Sequence, residues 1–394
     1  MMRMRNVSYM MLLFAVVGFA MGCTKPYNPK VISTSGNYLV VEGIINTGND
    51  STTIKLSRTV KLYNSTTTNP ELNAVIAIQD DQNQSYPLKS IGNGYYSSAV
   101  LSLDNTRKYR LSITTSDGKI YLSDYVPALV TPAIDSVGFN ITNNGLQIYV
   151  NTHNPQNNTR YYRWDYTETW QFNARYQSEY ISNGVDDMVL RTEAQQIYQC
   201  YGNDISTNIV LGSSAKLAQD VIYQAPINLI PQNSEKIETR YSILVKQYAM
   251  TQDGYNYYQL LKSNTEQLGS IFDAQPSQLT GNIHCTTDVN LPVIGYITAN
   301  TVQQKRIYVN NSQVPSTWLA KYPYDCEIDS VLYVDKQGRN DVLLDLVPLP
   351  SSLLAIHGIP SGGPSPKPLG YTAVDSDCAD CTLRGTVTKP SFWQ

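Results

Sequence analysis

The chain has 394 residues with 29 lysines and arginines against 32 acids, a formal charge of −3, and only 15% charged residues. So mild an acidic balance lacks the clustered cations that hold a phosphate backbone, and no nucleic-acid partner is expected. Tyrosine reaches 30 residues; half apolar and half wet, it packs well on pleated surfaces and suits an extracytoplasmic β protein.

The first residues bear on the compartment. Arg3 and Arg5 form a small basic head, and an apolar run follows over residues 7–20. A bilayer span needs about 20 apolar residues, so this run fits the core of a secretory signal instead. Ala20-Met21-Gly22-Cys23 then resembles the lipobox cut by lipoprotein signal peptidase. Small residues let the peptidase approach the backbone, and the Cys23 thiol takes up the diacylglycerol. The alternative is an ordinary signal peptide followed by a coincidental cysteine. Residues 1–22 therefore read as a lipoprotein signal peptide, and residues 23–36, rich in Pro, Asn, Lys and Ser, as a lipidated tether that stands the body off a membrane. Removing residues 1–22 takes away two arginines and no acid, leaving 372 residues and a charge of −5. At about 150 residues per domain, two or three domains are expected. No second long apolar run follows, so the mature chain is expected to be held by its lipid rather than by a span.

Strand signals begin after the tether. Leu39-Val40-Val41 is apolar, Ile54, Leu56, Val60 and Leu62 mostly alternate with polar residues, and Tyr109, Leu111 and Ile113 alternate before the turn Ser116-Asp117-Gly118-Lys119. Period-two patterns between turn signals mean an antiparallel, hairpin-built sheet, and residues 37–128 read as one small β-sandwich. Pro127 and Pro132 punctuate a boundary, and residues 129–394 read as a second sandwich. There Leu146, Ile148 and Val150 alternate, an Asn-rich turn follows at residues 154–158, and Tyr162, Trp164, Tyr166, Trp170 and Phe172 fall on one face together with Glu168. A core face satisfies this pattern. So does a platform on which sugar rings stack, with Trp164, Tyr166 and Trp170 as its residues. Residues 173–236 lose clear periodicity and read as long inserted loops, where binding specificity tends to lie. One helix is expected from Thr251 as N-cap, with Asp253 in its first turn, to Leu268 before Gly269. Strands near residues 293–297, 306–309 and 331–334 are expected to complete the second sandwich. The Pro-, Gly- and Ser-rich residues 360–368 then lead to a cysteine-bearing tail. The expected fold is thus all-β, with two immunoglobulin-like β-sandwiches, long loop insertions and one or two short helices.

Besides Cys23 there are five cysteines, Cys200, Cys285, Cys326, Cys378 and Cys381. In an oxidising compartment they can pair, and an odd number leaves at least one free or the pairing partial. The expected pairs are Cys200 with Cys285, and Cys326 with Cys378 or Cys381. The Cys378-Ala379-Asp380-Cys381 spacing matches a redox or zinc half-site, yet no second such pair and no clustered histidine accompanies it. His153, His284 and His357 are scattered, and neither a His-Glu-x-x-His motif nor a Gly-x-Ser-x-Gly elbow nor a phosphate-cradling glycine loop is present. Asp80-Asp81 and Asp186-Asp187 are adjacent acids, which in a strand point to opposite faces. No catalytic residue, metal or cofactor is expected. Carboxylates remote in sequence can still meet in space, which keeps a glycan-acting hydrolase as the alternative.

Several segments together resemble one family, the exported lipoproteins described as domain of unknown function 4249. They are Tyr38-Leu39-Val40-Val41-Glu42-Gly43, the strand at residues 164–172, and the block beginning Tyr241-Ser242-Ile243-Leu244-Val245-Lys246-Gln247-Tyr248. The block runs on through Leu268-Gly269-Ser270-Ile271-Phe272-Asp273, Gln275-Pro276-Ser277-Gln278-Leu279, Gly281-Asn282-Ile283, Cys285, Val293-Ile294-Gly295-Tyr296 and Lys305-Arg306. Cys378-Ala379-Asp380-Cys381-Thr382-Leu383-Arg384-Gly385, Lys389-Pro390 and Phe392-Trp393 close it. The resemblance implies no activity and no catalytic residues. It implies an outer-membrane lipoprotein associated with a TonB-dependent β-barrel transporter of the starch-utilisation type, acting in capture, gating or assembly, with a glycan or peptide as ligand. A role in envelope assembly or adhesion is a further reading. Related surface lipoproteins often carry acids soon after the lipid cysteine, whereas residues 24–30 hold Lys25 and Lys30 and no acid, so both faces of the outer membrane stay open.

The anchoring chemistry rests on one thiol. Cys23→Ala is expected to abolish incorporation of a labelled fatty acid and to move the protein out of the membrane fraction; label and sedimentation equal to the parent's refute the lipoprotein reading.

Overall fold

The computed structural model describes residues 37–60, 69–266, 279–322, 324–363 and 367–394. The expected signal peptide (1–22), Cys23 and the tether (23–36) lie outside the described residues, as does the expected helix end at Leu268 and Gly269. The fold is all-β, with several sheets and few helices. No described helix is long and apolar enough to cross a membrane.

The first core grows from the alternation in residues 39–129. Strands Ser51–Arg58, Val75–Asp80 and Lys108–Thr114 bury every second residue, so Ile54, Leu56, Ile76, Ile78, Tyr109, Leu111 and Ile113 share one apolar cluster. The tight turn before the next strand needs Gly118, whose φ of 80° lies in the left-handed region. Nine strands from residues 39–129 join a 12-stranded sheet, and the other three come from much later in the chain. Ile283–Cys285 pairs antiparallel with Ile120–Ser123, Val293–Ile294 lies parallel to Leu39–Gly43, and Ala299–Asn300 is parallel to both Ile45–Asn46 and Val126–Leu129. This corrects the expectation that residues 293–297 complete the second sandwich. Segments two or three residues long carry no periodicity, so their partner is chosen by a long-range fit. Gly295 shows that fit: at φ +152°, a Cβ there would come within 2.5 Å of the Val41 carbonyl oxygen.

The second core lies between two sheets. Ile134–Thr142, Gly145–Asn154 and Asp220–Pro231 form one; Gln199–Ile205, Tyr161–Asn173, Arg240–Met250 and Val302–Asn310, with Val210–Ser213, form the other. Leu146, Ile148, Val150 and Ile230 from the first meet Tyr162, Trp164, Ile243, Val245 and Val309 from the second in one buried cluster. Residues 173–236 are therefore not simply inserted loops: they hold three of these strands, including the 12-residue Asp220–Pro231. Its period is hidden because the register with Gly145–Asn154 shifts twice and Gln224 adopts φ 49°.

The helix runs over Gln252–Glu266, and Thr251 Oγ1 accepts from the Gly254 N–H at 3.2 Å as an N-cap does. Tyr255 packs on Tyr161 and Tyr257 on Tyr296, at ring separations of 5.0 and 5.3 Å. The strand Asp329–Leu332 does not join the second core either. It pairs with Gly370–Asp375, which also pairs with Leu353–Ile359, and this small sheet shares a core with Met188 from the hairpin at residues 180–190.

Disulfides join Cys200 to Cys381 and Cys326 to Cys378, with Cα separations of 5.7 and 5.9 Å, and Cys285 is a buried free thiol. The expected Cys200–Cys285 pair is thus corrected. Cys285 sits on the short strand that enters the first core, whereas Cys200 lies in a separate cluster with Phe172 and Cys381. Mass spectrometry of a non-reduced digest is expected to recover Cys200–Cys381 and Cys326–Cys378 peptides, with Cys285 alkylated only after denaturation. A Cys200–Cys285 peptide refutes this arrangement.

Candidate functional site

Tyr161–Asn173 is a 13-residue strand paired along both edges. Its even-numbered side chains point inward, Tyr162, Trp164 and Tyr166 into the second core and Phe172 into the cluster with Cys200 and Cys381. Trp164 is fully buried and donates its Nε1–H to Gln247 Oε1 at 2.8 Å; the Tyr162 hydroxyl donates to Asp220 Oδ2 at 2.7 Å. Stacking on a sugar needs an open ring face. Trp164 and Tyr166 offer none because both are core residues, and the half-buried Trp170 has the Lys236 ammonium over its ring at 4.9 Å. The stacking-platform reading of these three residues is therefore replaced by the core-face reading.

Glu168 stands among these rings with only 3% exposure. Its Oε1 accepts from the Tyr241 hydroxyl at 2.7 Å and from Asn228 Nδ2 at 2.9 Å, and its Oε2 pairs with Lys236 Nζ at 2.6 Å. Burial, reinforced by the Glu168 charge, pushes the Tyr241 hydroxyl pKa well up. Asp204 lies directly opposite Glu168 in the register, and the same Lys236 Nζ reaches its Oδ2 at 3.2 Å. These are the carboxylates that a hydrolase reading would look for, with a cavity of about 230 Å³ beside them. Both are bound to one ammonium, and the acceptors of Glu168 are filled by three donors. A buried charge so compensated ties sheets together.

The other acidic and basic candidates have equally local partners. Asp80 accepts from the N–H groups of Gln82 and Gln84 at 3.0 and 2.8 Å and pairs with Arg107 at 2.7 Å, while Asp81 takes Arg107 Nε at 3.1 Å. Burial pushes the Asp80 carboxyl up, but those amide donors and the guanidinium outweigh it and hold its pKa low. Asp187 pairs with Lys367 at 3.0 Å and accepts from the Tyr333 hydroxyl. His153, His284 and His357 are each exposed beside a single carboxylate, of Asp135, Asp124 and Glu179 respectively. Among the described residues no three metal-ligating side chains cluster, and the thiols of the Cys-x-x-Cys pair are both spent in disulfides.

The odd-numbered face of the same strand forms a different site. Asp165 lies opposite Lys246, which lies opposite Gln304; one step along, Arg163 lies opposite Tyr248, which lies opposite Val302. This polar ladder faces residues 43–53 of the first body across a cleft of about 580 Å³. Arg163 is wedged between the rings of Tyr248 and Tyr258, at 4.9 and 4.6 Å, and donates through Nη2 to Asp165 Oδ2 at 2.9 Å. Its Nε is buried without a partner among the described residues. Burial, reinforced by the nearby Asp165 charge, raises the Tyr248 hydroxyl pKa. Sequence reasoning missed this face because the aromatic alternation drew attention to the other one; the signal was Arg163 and Asp165 interleaved between Tyr162, Trp164 and Tyr166.

The family model described as domain of unknown function (DUF4249) matches residues 24–306, a span that holds the first core, the Tyr161–Asn173 strand and both walls of the cleft. The chain belongs to this family. The tail residues 378–393 lie beyond the matched range. No curated protein matches the chain.

Lys236→Met leaves Glu168 buried without its cation and is expected to destabilise the fold by about 3 kcal/mol in denaturant titrations. The double variant with Glu168→Gln is expected to recover most of that loss. Equal stability of Lys236→Met and the parent refutes the tie.

Proposed function

We propose that this protein is a lipid-anchored binding component of the outer membrane, an accessory to a TonB-dependent β-barrel transporter that captures a ligand rather than transforming it. The observation that carries the binding half is the cleft between the two bodies, where Lys246 and the Arg163 Nε stand without acceptors among the described residues. Free donors in a preformed cleft favour recognition. Chemistry would need a positioned acid or base, and the buried Glu168 with its neighbour Asp204 is held by Lys236.

The accessory half is supported by the lipobox ending at Cys23 and by membership of the family, whose match begins at residue 24. Confinement to a membrane raises the effective concentration of a neighbouring transporter, so a modest interface suffices. Extraction in mild detergent is expected to recover the protein with a large β-barrel, and Cys23→Ala is expected to lower that recovery sharply. Elution alone at monomer size in several detergents, together with turnover of a polysaccharide by the purified chain, puts the hydrolase reading in its place.

A further inference from the structure

We infer that the junction cleft takes an acidic, hydroxyl-rich ligand, a uronic-acid-type sugar whose carboxylate meets Lys246. This rests on the cleft being the binding site of the preceding section.

The charge count within the ladder leads there. Asp165 lies directly opposite Lys246, yet its carboxylate is already committed to Arg163 Nη2 at 2.9 Å. The other acid in the lining, Asp50, accepts from the Ser51 N–H at 2.7 Å and forms no ion pair among the described residues. Lys246 Nζ is thus a cation without hydrogen bond or ion pair among the described residues, half-buried in the cleft wall. A half-buried ammonium without an acceptor is poised for an anion, because a charge-assisted hydrogen bond there replaces water at modest desolvation cost. Gln304, the next residue across the sheet, brings an amide beside the ammonium.

The opposite wall sets the rest of the ligand. Asn46, Asn49, Ser51 and Thr53 supply amides and hydroxyls, and Ile44 and Val302 are the aliphatic side chains of the lining. Sugar hydroxyls both donate and accept, as amides and hydroxyls do, whereas a peptide would call for apolar pockets at alternate side chains. A cleft of about 580 Å³ is of the size that takes a short oligosaccharide.

The test is calorimetry on the full chain in mild detergent with trigalacturonate, its methyl ester and triglutamate. Expected is binding of trigalacturonate that weakens with salt, at least about tenfold tighter than the methyl ester, the worth of one charge-assisted hydrogen bond. Lys246→Met is expected to erase that difference and Lys246→Arg to keep it, with an unchanged melting curve in both. The ester comparison needs no variant, so it stands even where a substitution unfolds the chain. Equal binding of acid and ester, tighter binding of triglutamate, or no binding at all overturns the inference. Recovery of the β-barrel is a separate readout: a chain that recovers the barrel and ignores trigalacturonate loses this ligand and keeps the proposed function.

Discussion

The pleat of Tyr161–Asn173 is the constraint on which the molecule depends. The strand is paired along both edges, so neither of its faces can rotate away from its partner sheet. Its even positions place Tyr162, Trp164, Tyr166 and Phe172 in buried clusters, and its odd positions place Arg163 and Asp165 at the cleft. A register slip of one residue would exchange these sets, exposing an indole and burying an ion pair. Glu168 is the exception on the inner face, and it is tolerated because Tyr241, Asn228 and Lys236 compensate it fully. Core and candidate site are thus two sides of one alternation.

The cleft also depends on how the two bodies are held together. The chain leaves the first body near residue 129, builds much of the second, returns to the first sheet for residues 283–300, and goes back with Val302–Asn310. Three crossings of the peptide between bodies would count for little if the contacts were loose, but they are hydrogen-bonded. Thr131 Oγ1 accepts from the Ala249 N–H at 3.0 Å, Asn300 Nδ2 donates to the Ala249 carbonyl at 3.0 Å, and the Thr131 N–H donates to Thr301 Oγ1 at 2.9 Å. Buried polar contacts of this kind specify one arrangement, since each group has nowhere else to bond. A cleft between bodies so fixed is preorganised.

At the other end of the second body the tail closes the structure. Through Cys378 and Cys381 one short segment is joined both to the Gln199–Ile205 strand and to the region of Cys326. Trp393 then packs edge-on against Tyr201 and Tyr308, beneath the Arg240 guanidinium. Residues remote in sequence are tied down by covalent and aromatic contacts where the surrounding segments are short and irregular.

Much of this was legible in the residues alone. Alternation over residues 39–58, 75–80, 108–114 and 145–173 declares strands because a pleat shows its period within a few residues, and Thr251 with Asp253 marks a helix start through local capping chemistry. The family, too, is carried by ordered segments of sequence. What the residues could not declare is every pairing between distant short segments. Val293-Ile294 carries no period that chooses between two sheets, Asp220–Pro231 hides its period behind two register shifts, and Cys200 finds Cys381 rather than Cys285 only because those strands enter different cores. The cleft belongs to the same class: Arg163, Lys246 and residues 43–53 meet through three-dimensional pairing, and no local pattern encodes which free cation will face which wall. Alternation and capping are short-range and so are written in the chain; partner choice is decided by the packing free energy of the whole fold.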